Sequence, residues 1–496
     1  MTELLRPLVL TVTLLGPAPA SAMTVDEALR RSKTHPSLCE ATHRVARADA
    51  RVVAEEEARP MTLGADAVAR HERGPTLAVG GVTTPTTDVV ALGADLDKTL
   101  AWGTRLEARV EAGYRRSAIP VAPGASQQLE LGPGMSVSAR VGFEQPLLKG
   151  AGTGVGQAEL RARHYEVSAS KRTRAERRRA VLRDVLNGYY ELWYAQEALA
   201  IERKALRLAR AELSAVREQV EAGTSARAEV TTVVARVAER REAVAAAALV
   251  RQQRSIELAL RMGVGPQGAA RFVATEAPPA PPLMGRRSAK SAIRRSFGRS
   301  HELAALEAER KAARERLALA GDTGRPRLDL TGWVQTQGLG YRRADRALSQ
   351  LGTFGAVSAQ VGLRFEAPVS GVRRNAETAA ARAEVARLAA RTRTVRHQLS
   401  SEVRELVARA ATARRRLRLS RKTIAAARAE LSATRARHRE GEVIALDVAR
   451  AIEALRRAEL RQRRWQAQWA MADVALRSHT GERLTGKRLP PVRCDG

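Results

Sequence analysis

Near the start of the chain, His35, Cys39 and His43 stand four residues apart. That spacing puts the three side chains on one face of a helix, and a thiolate with two imidazoles is a donor set that zinc accepts. The set stops at three ligands on an ordinary Ala/Arg/Glu-rich helix surface, so the expectation is no metal and no cofactor. Further on, Gly150-Ala151-Gly152-Thr153-Gly154 precedes a helical run with the glycine density of a phosphate loop. It lacks the Gly-Lys-Ser/Thr ending and follows a strand directly, where the chain must turn. Tyr189, Tyr190, Trp193 and Tyr194 gather on one long helix and fit packing better than a ligand box. No enzyme constellation emerges, and the chain is expected not to be an enzyme.

The elements that hold these residues repeat. Phe143-Glu144-Gln145-Pro146 returns as Phe365-Glu366-Ala367-Pro368, 222 residues later. Upstream of the first copy, Met135, Val137, Ala139, Val141 and Phe143 alternate with Ser136, Ser138, Arg140 and Gly142. Upstream of the second, Val357, Ala359, Val361, Leu363 and Phe365 alternate with Ser358, Gln360, Gly362 and Arg364. Period two over nine residues predicts a strand with one apolar and one polar face, ended by proline. His35 precedes Pro60 by 25 residues, as His301 precedes Pro326. After each strand proline comes a long proline-free run to a glycine, Gly223 or Gly441, at 77 and 73 residues. The first half's extra Ala-Gly-Thr-Gly would account for that difference.

Each half therefore reads as helix, strands, very long helix, glycine break and shorter helix. Val185, Leu192, Leu199, Leu206, Leu213 and Val220 recur every seven residues, the period of a coiled-coil seam. The long helices are expected from Gln157 to Glu221 and from Arg373 to Glu440, each roughly 100 Å long at ~1.5 Å per residue. Such rods pack along neighbours in an extended tube. Gly223 and Gly441 turn each rod into a return helix, Ala226–Met262 or Val443–Thr480. The second half offers strands at about 327–337 and 356–366. The first half offers up to four candidates between Pro60 and Glu144, including Gly103–Tyr114. One pair should match the second half, with the remainder an extra hairpin or loop. The expected organisation is a signal peptide over 1–22, a first repeat over 23–276, a Pro-rich linker over 277–282, a second repeat over 283–484 and a tail over 485–496.

The leader MTELLRPLVLTVTLLGPAPASA has one Arg, an apolar run and Ala20-Ser21-Ala22 before Met23. That is the secretory pattern, and with no cysteine at the cleavage point no lipid anchor is expected. The longest later apolar run, Ala243–Val250, is far short of a membrane helix. An exported chain of this kind can span a membrane only as a closed β-barrel. Four to six strands are too few to close one, about eight being the usual minimum, so membrane strands here require several chains in one barrel. Cys39 and Cys494 could pair in an oxidising periplasm, and the sequence leaves that open. The net charge of +32 comes from 85 Lys and Arg against 53 Asp and Glu. An alternative is therefore an exported basic coiled-coil protein, structural or nucleic-acid-binding. The charge is not gathered into one patch, and the leader and alternating strands speak against that alternative.

In order and spacing the sequence resembles the TolC-like outer membrane channel-tunnel proteins, or outer membrane factors. The features that carry the resemblance are the leader, the opening MTVDEALRRSKTHPSL (Met23–Leu38), the phrase FEQPLLKGAG, the stretch NGYYELWYAQEAL (Asn187–Leu199) and the Gly-x-x-x-x-x-(Asp/Glu)-Val break in both halves. Together they cover nearly all of residues 23–481. The resemblance implies a fold that is mainly α with β. Three chains share a twelve-stranded transmembrane barrel, four strands from each, and their helical hairpins form a periplasmic α-barrel. It implies a homotrimer in outer-membrane lipid with a large periplasmic portion. Its partners would be a periplasmic adaptor (a membrane fusion protein) and an inner-membrane pump of RND, ABC or MFS type, for efflux or type I secretion, with no nucleic acid. The implied adaptor-docking tip consists of Gly223, Thr224, Gly441, Glu442 and Val443. The implied gate has an acidic residue six after the second tip glycine, here Asp447. Where a second acidic residue would follow, this chain has Arg450. The first-half equivalent is Glu229.

Overall fold

The computed structural model describes residues 21–78, 81–122, 125–223, 226–265, 272–281, 288–368, 370–484 and 494. Thr224, Pro282 and all but the last two residues of the leader lie outside the described residues. In chain order the elements are β1 (Ser21–Met23), α1 (Val25–Arg31), α2 (Pro36–Glu56), β2 (Thr62–Arg73), β3 (Thr76–Ala78), β4 (Gly81–Thr83), β5 (Thr86–Thr99), β6 (Arg105–Pro120) and β7 (Gln128–Pro146). Then come α3 (Thr153–Gly156), α4 (Ala158–Glu221), α5 (Arg227–Met262), β8 (Phe272–Ala274), α6 (Ala289–Arg299), α7 (His301–Thr323) and β9 (Arg327–Tyr341). The chain finishes with α8 (Ala344–Gly352), β10 (Val357–Glu366), α9 (Val372–Arg439) and α10 (Ala445–Thr480).

Two compact units result. One comprises Met1–Val45, Ser170–Ala305 and Thr392–Gly496, and the other Ala46–Ala169 and Leu306–Arg391. Each unit draws on both sequence repeats, so the repeats are interleaved rather than separately folded.

The first unit is helical. Its largest core joins α1, α4, α5, α10 and the short parallel pair β1–β8 through Leu29, Val185, Tyr189, Leu192, Leu258 and Met262. The α1 helix starts with a threonine N-cap: the Thr24 hydroxyl accepts from Glu27 N at 3.2 Å, tying down an otherwise free helix amide. The seven-residue seam packs inward as its period requires, with Val185, Leu192, Leu199 and Leu206 buried. Burying each of these side chains contributes about 1.5–3 kcal/mol. Leu206 and Ala209 of α4 meet Val237 of α5, and Ile424 and Leu431 of α9 meet Val448, Ile452 and Leu455 of α10. These contacts make two helical hairpins. Cys39 and Cys494 form a disulfide.

The second unit holds six long strands in one antiparallel sheet, in the order β10-β9-β7-β6-β5-β2. The strand expectations at 327–337 and 356–366 correspond to β9 and β10. All four first-half candidates are strands of the same sheet, six per chain where the resemblance implied four. The first half's extra residues after Pro146 form a loop and the four-residue α3, and α4 is the shorter long helix, at 64 residues against 68 for α9.

Candidate channel elements: strand wall and helix tips

The sheet of the second unit has two chemically opposite faces. One row across all six strands in register reads Leu63, Leu96, Ala108, Val141, Val334 and Ala359. The next row, one residue along, reads Gly64, Asp95, Arg109, Arg140, Gln335 and Ser358. Successive strand residues point to opposite faces, so along these rows an apolar face backs a polar one, and the apolar face gives way to the charged row His71, Asp88 and Arg116 further along the strands. On the apolar face Leu63, Val141, Val334, Val361 and Leu363 are exposed. An exposed apolar surface of this extent marks contact with lipid or a partner.

The polar face is cross-linked by charge. Arg109 reaches Asp66 at 2.9 Å, Asp95 at 3.5 Å and Glu111 at 3.3 Å. Arg140 lies over the Trp333 ring, 4.2 Å from its centroid, and donates to Gln335 Oε1 at 3.0 Å. Where β9 begins, Arg327 pairs with Glu144 and Asp329. Glu144 belongs to the repeated Phe-Glu-x-Pro phrase, and its counterpart Glu366 faces Arg327 across the β9–β10 ladder. The repeated phrase thus sets one edge of the wall twice, with a carboxylate beside Arg327 and a proline that stops the strand.

The loop after Pro146 is a turn. Gly150 and Gly152 have φ of +79° and +85°, and the Gly150 amide donates to the Asp322 carboxylate at 2.7 Å. A carboxylate on that amide occupies a donor a phosphate would need. Cys39 is in the disulfide, so it is not available as a ligand with His35 and His43. His35 Nδ1 instead meets the Ser37 hydroxyl at 2.8 Å at the start of α2. Burial, reinforced by the Arg177 charge, holds the His35 pKa below its usual value. Among the described residues no cluster of three or more His, Cys, Asp or Glu could hold a metal. Tyr189 and Tyr190 stack edge-on in the core, and the Tyr189 hydroxyl donates to the Met23 carbonyl at 3.0 Å while accepting from Glu276 N at 2.9 Å.

In the first unit each long helix ends at its glycine. Gly223 has φ +74° and Gly441 φ +78°. At the second turn the Gly441 amide donates to His438 O at 3.1 Å and the Glu442 amide to Arg437 O at 2.9 Å. That is the paired bonding of a Schellman cap, which closes the last carbonyls of α9. The two turns lie side by side, because Val216 of α4, Val233 of α5 and Ala445 of α10 form one small core. Glu229 sits in the first turn of α5, and Asp447 in the first turn of α10. Arg450 donates to Asp447 at 3.2 Å on an exposed face of α10.

Two ionic clusters between the hairpins had no sequence signal. Arg456 of α10 bonds Glu202 of α4 at 2.5 Å and Glu453 of its own helix at 2.5 Å, and Arg240 of α5 reaches Glu453 at 3.2 Å. Although burial opposes it, the hydrogen bonds and charges of Arg456, Arg457 and Arg240 hold the Glu453 pKa down at about 2. Nearer the tip, His438 Nδ1 lies 2.8 Å from the Val443 carbonyl and Nε2 lies 3.4 Å from Glu212. A carbonyl only accepts, so Nδ1 carries a proton, and Nε2 faces Glu212. Burial raises the Glu212 pKa, with His438 and then Arg435 pulling against it. Glu453 and Arg456 sit three apart, as countless solvated pairs do, and their partners on α4 and α5 are more than two hundred residues away in sequence.

A sheet with one lipid-compatible face, joined in the chain to long helical hairpins with glycine turns, defines an outer-membrane channel. The chain belongs to the outer membrane efflux protein family, whose sequence profile matches residues 110–264 and 292–482. That family consists of channels, not enzymes. No curated protein sequence matches the chain. Among solved structures, the outer membrane protein VceC of Vibrio cholerae is 17% identical at TM-score 0.64, covering 93% of this chain and 97% of its own. CusC is 15% identical at TM-score 0.65, covering 95% and 96%. The MtrE outer membrane channel of Neisseria gonorrhoeae is 16% identical at TM-score 0.61, covering 92% and 89%. At these identities the likeness is one of fold.

Proposed function

We propose that this efflux-family protein is a passive export duct, working as a homotrimer in the outer membrane with a large periplasmic portion. Residues 1–22 direct export and are removed. The glycine turns dock a periplasmic adaptor, which couples the duct to an inner-membrane pump of RND, ABC or MFS type for efflux or type I secretion. The observation that carries this reading is the two-faced sheet. Its apolar rows suit lipid and its charged face suits a watery lumen. An open sheet edge in lipid leaves backbone groups unpaired at several kcal/mol each, so the chain must assemble to be used there. The helix turns at Gly223 and Gly441, with Thr224, Glu442 and Val443 beside them, supply the docking surface. Asp447, Arg450 and Glu229 line the constriction.

The test is to recover the protein from outer membranes as a heat-resistant oligomer and record it in planar bilayers. Discrete conductance supports a duct. A membrane-bound oligomer without conductance indicates a structural role in the envelope. Photo-crosslinkers at Glu442 should then capture an adaptor in cells, and capture at the strand wall instead would move the docking site.

A further inference from the structure

The six strands align with the duplication in a particular way. β2 follows Arg59-Pro60 as β9 follows Arg325-Pro326, and β7 ends in Phe-Glu-Gln-Pro as β10 ends in Phe-Glu-Ala-Pro. So β2 and β7 are the counterparts of β9 and β10. In the second repeat the counterparts pair directly. In the first they do not: β5 and β6 stand between them, β5 on β2 and β6 on β7. The β5–β6 hairpin is an insertion into the wall itself.

The inserted strands carry the same pattern as the rest. Leu96 and Ala108 continue the apolar row from Leu63 to Val141, and Asp95 and Arg109 continue the polar row beside it. A hairpin lying outside the membrane would have no reason to keep the apolar side in register with its neighbours, because a one-residue slip reverses every side chain.

We propose that three chains close an eighteen-stranded barrel, six strands from each, in place of the twelve-stranded barrel the family resemblance implies. This rests on the trimeric reading given above. The occupant of each free edge is a second copy of this chain: β2 of one protomer pairs with β10 of the next. Six is an even count, so β2 and β10 run in opposite directions within the sheet, and a rotated copy presents β2 antiparallel to β10. The apolar row reaches both edges, ending at Leu63 and Ala359. At about 4.8 Å per strand and about 40° of tilt, eighteen strands give a backbone diameter of about 36 Å, against about 24 Å for twelve. The lumen section is then about twice as large, an exit sized for bulky cargo.

Two measurements on the full-length protein in its membrane test this. The native cysteines are already paired, so introduced cysteines can be labelled alone. Leu92→Cys and Val110→Cys, on the inserted hairpin, carry a bimane probe in vesicles of brominated-acyl lipid, with Val361→Cys as the wall reference. Quenching equal to the reference supports the proposal. Quenching by aqueous iodide only puts the hairpin outside the wall and overturns it. In parallel, paired cysteines scanned over residues 62–69 and 357–365 are oxidised. A covalent ladder that stops at three supports edge-to-edge closure. A ladder stopping at another number, with the hairpin still lipid-quenched, overturns the trimer and the strand total but leaves six strands per chain. No intersubunit product at any pair overturns the closure.

Discussion

The first repeat carries helices of 64 and 36 residues around its glycine, and the second carries 68 and 36. Their strand segments differ far more, with four long strands in one and two in the other. The helices are held to matched lengths because their turns must meet: Val216 and Val233 from the first hairpin share a core with Ala445 from the second. An antiparallel wall has no such constraint, since a hairpin adds two strands and leaves the alternation of direction intact. Length is conserved where ends must coincide and free where a ladder can grow in pairs.

The largest expected effect compares the inserted hairpin with the second repeat. Leu92→Arg in β5 and Val361→Arg in β10 each put a cation on the apolar face, at about 2–4 kcal/mol near the bilayer midplane. Equal losses in the unfolding free energy of the membrane-inserted protein are expected. Gly362→Arg, on the opposite face of β10, should cost far less. A silent Leu92→Arg beside a damaging Val361→Arg would break the equivalence of the two strand sets.

Next is the charge cluster that joins the hairpins. Arg456→Ala leaves Glu202 and Glu453 facing each other with less compensation, and about 3 kcal/mol of stability should be lost, read as a lower unfolding midpoint. Its pH signature separates it from the tip. Glu453 has a depressed pKa of about 2 against a usual 4.5, so its stabilisation is complete above about 4.5 and is lost as pH falls towards about 2. Glu212 is shifted the other way. Its charged form is disfavoured in the folded chain, so the protein gains stability as pH falls from neutral towards the unfolded carboxylate value. The deficit of Glu453→Gln relative to the native chain should therefore shrink below about pH 4.5. Glu212→Gln should lose ground relative to the native chain as acid is added. Parallel pH curves for the two variants would contradict this assignment of partners.

Much of this architecture was legible in the sequence because it is periodic. The seven-residue seam of α4, the two-residue alternation in β7 and β10 and the glycine breaks all follow from local geometry, and each is found where its period placed it. Tyr189, Tyr190 and Trp193 are core packing, the reading preferred over a ligand box. The sequence leaves the disulfide open, since nothing local fixes which residues 455 positions apart will meet. The insertion of β5–β6 between β2 and β7 was ambiguous for a related reason: alternation identifies a strand but not its neighbours. The clusters around Arg456 and His438 had no signal, because each is assembled from several helices whose only common feature is their packing.

At the tips the two repeats can be compared residue for residue. A Cβ added at Gly441 meets no atom within 4 Å beyond its chain neighbours, so the cost of Gly441→Val is mainly strain in the left-handed backbone, at about 1–2 kcal/mol. Gly223→Val faces equally open space. Both should leave the assembled protein in the membrane while weakening adaptor crosslinking. Undisturbed crosslinking and export in both variants would move docking away from the turns.

The smallest energetic effect, and the sharpest comparison, is Glu229 against the Asp447–Arg450 pair. Both acids sit six residues after a tip glycine; three residues further on Asp447 has Arg450, which it holds at 3.2 Å, where Glu229 has Thr232. That pair is solvent-facing, so it is worth only about 0.5 kcal/mol. Repeated around a threefold axis, its effect on stability stays small. Its effect on the local potential does not, because charges inside a narrow protein-walled ring are weakly screened. With Arg450 present the ring is mixed, and weak cation preference with weak block by trivalent cations is expected. Arg450→Asp turns it into two stacked acidic rings, which should raise cation selectivity and strengthen the block, read from the reversal potential and single-channel conductance in a planar bilayer. Glu229→Gln should move both in the opposite direction and by less. If Arg450→Asp changes neither quantity, the constriction lies away from the first turn of α10, and the correspondence between the two tips ends at the glycines.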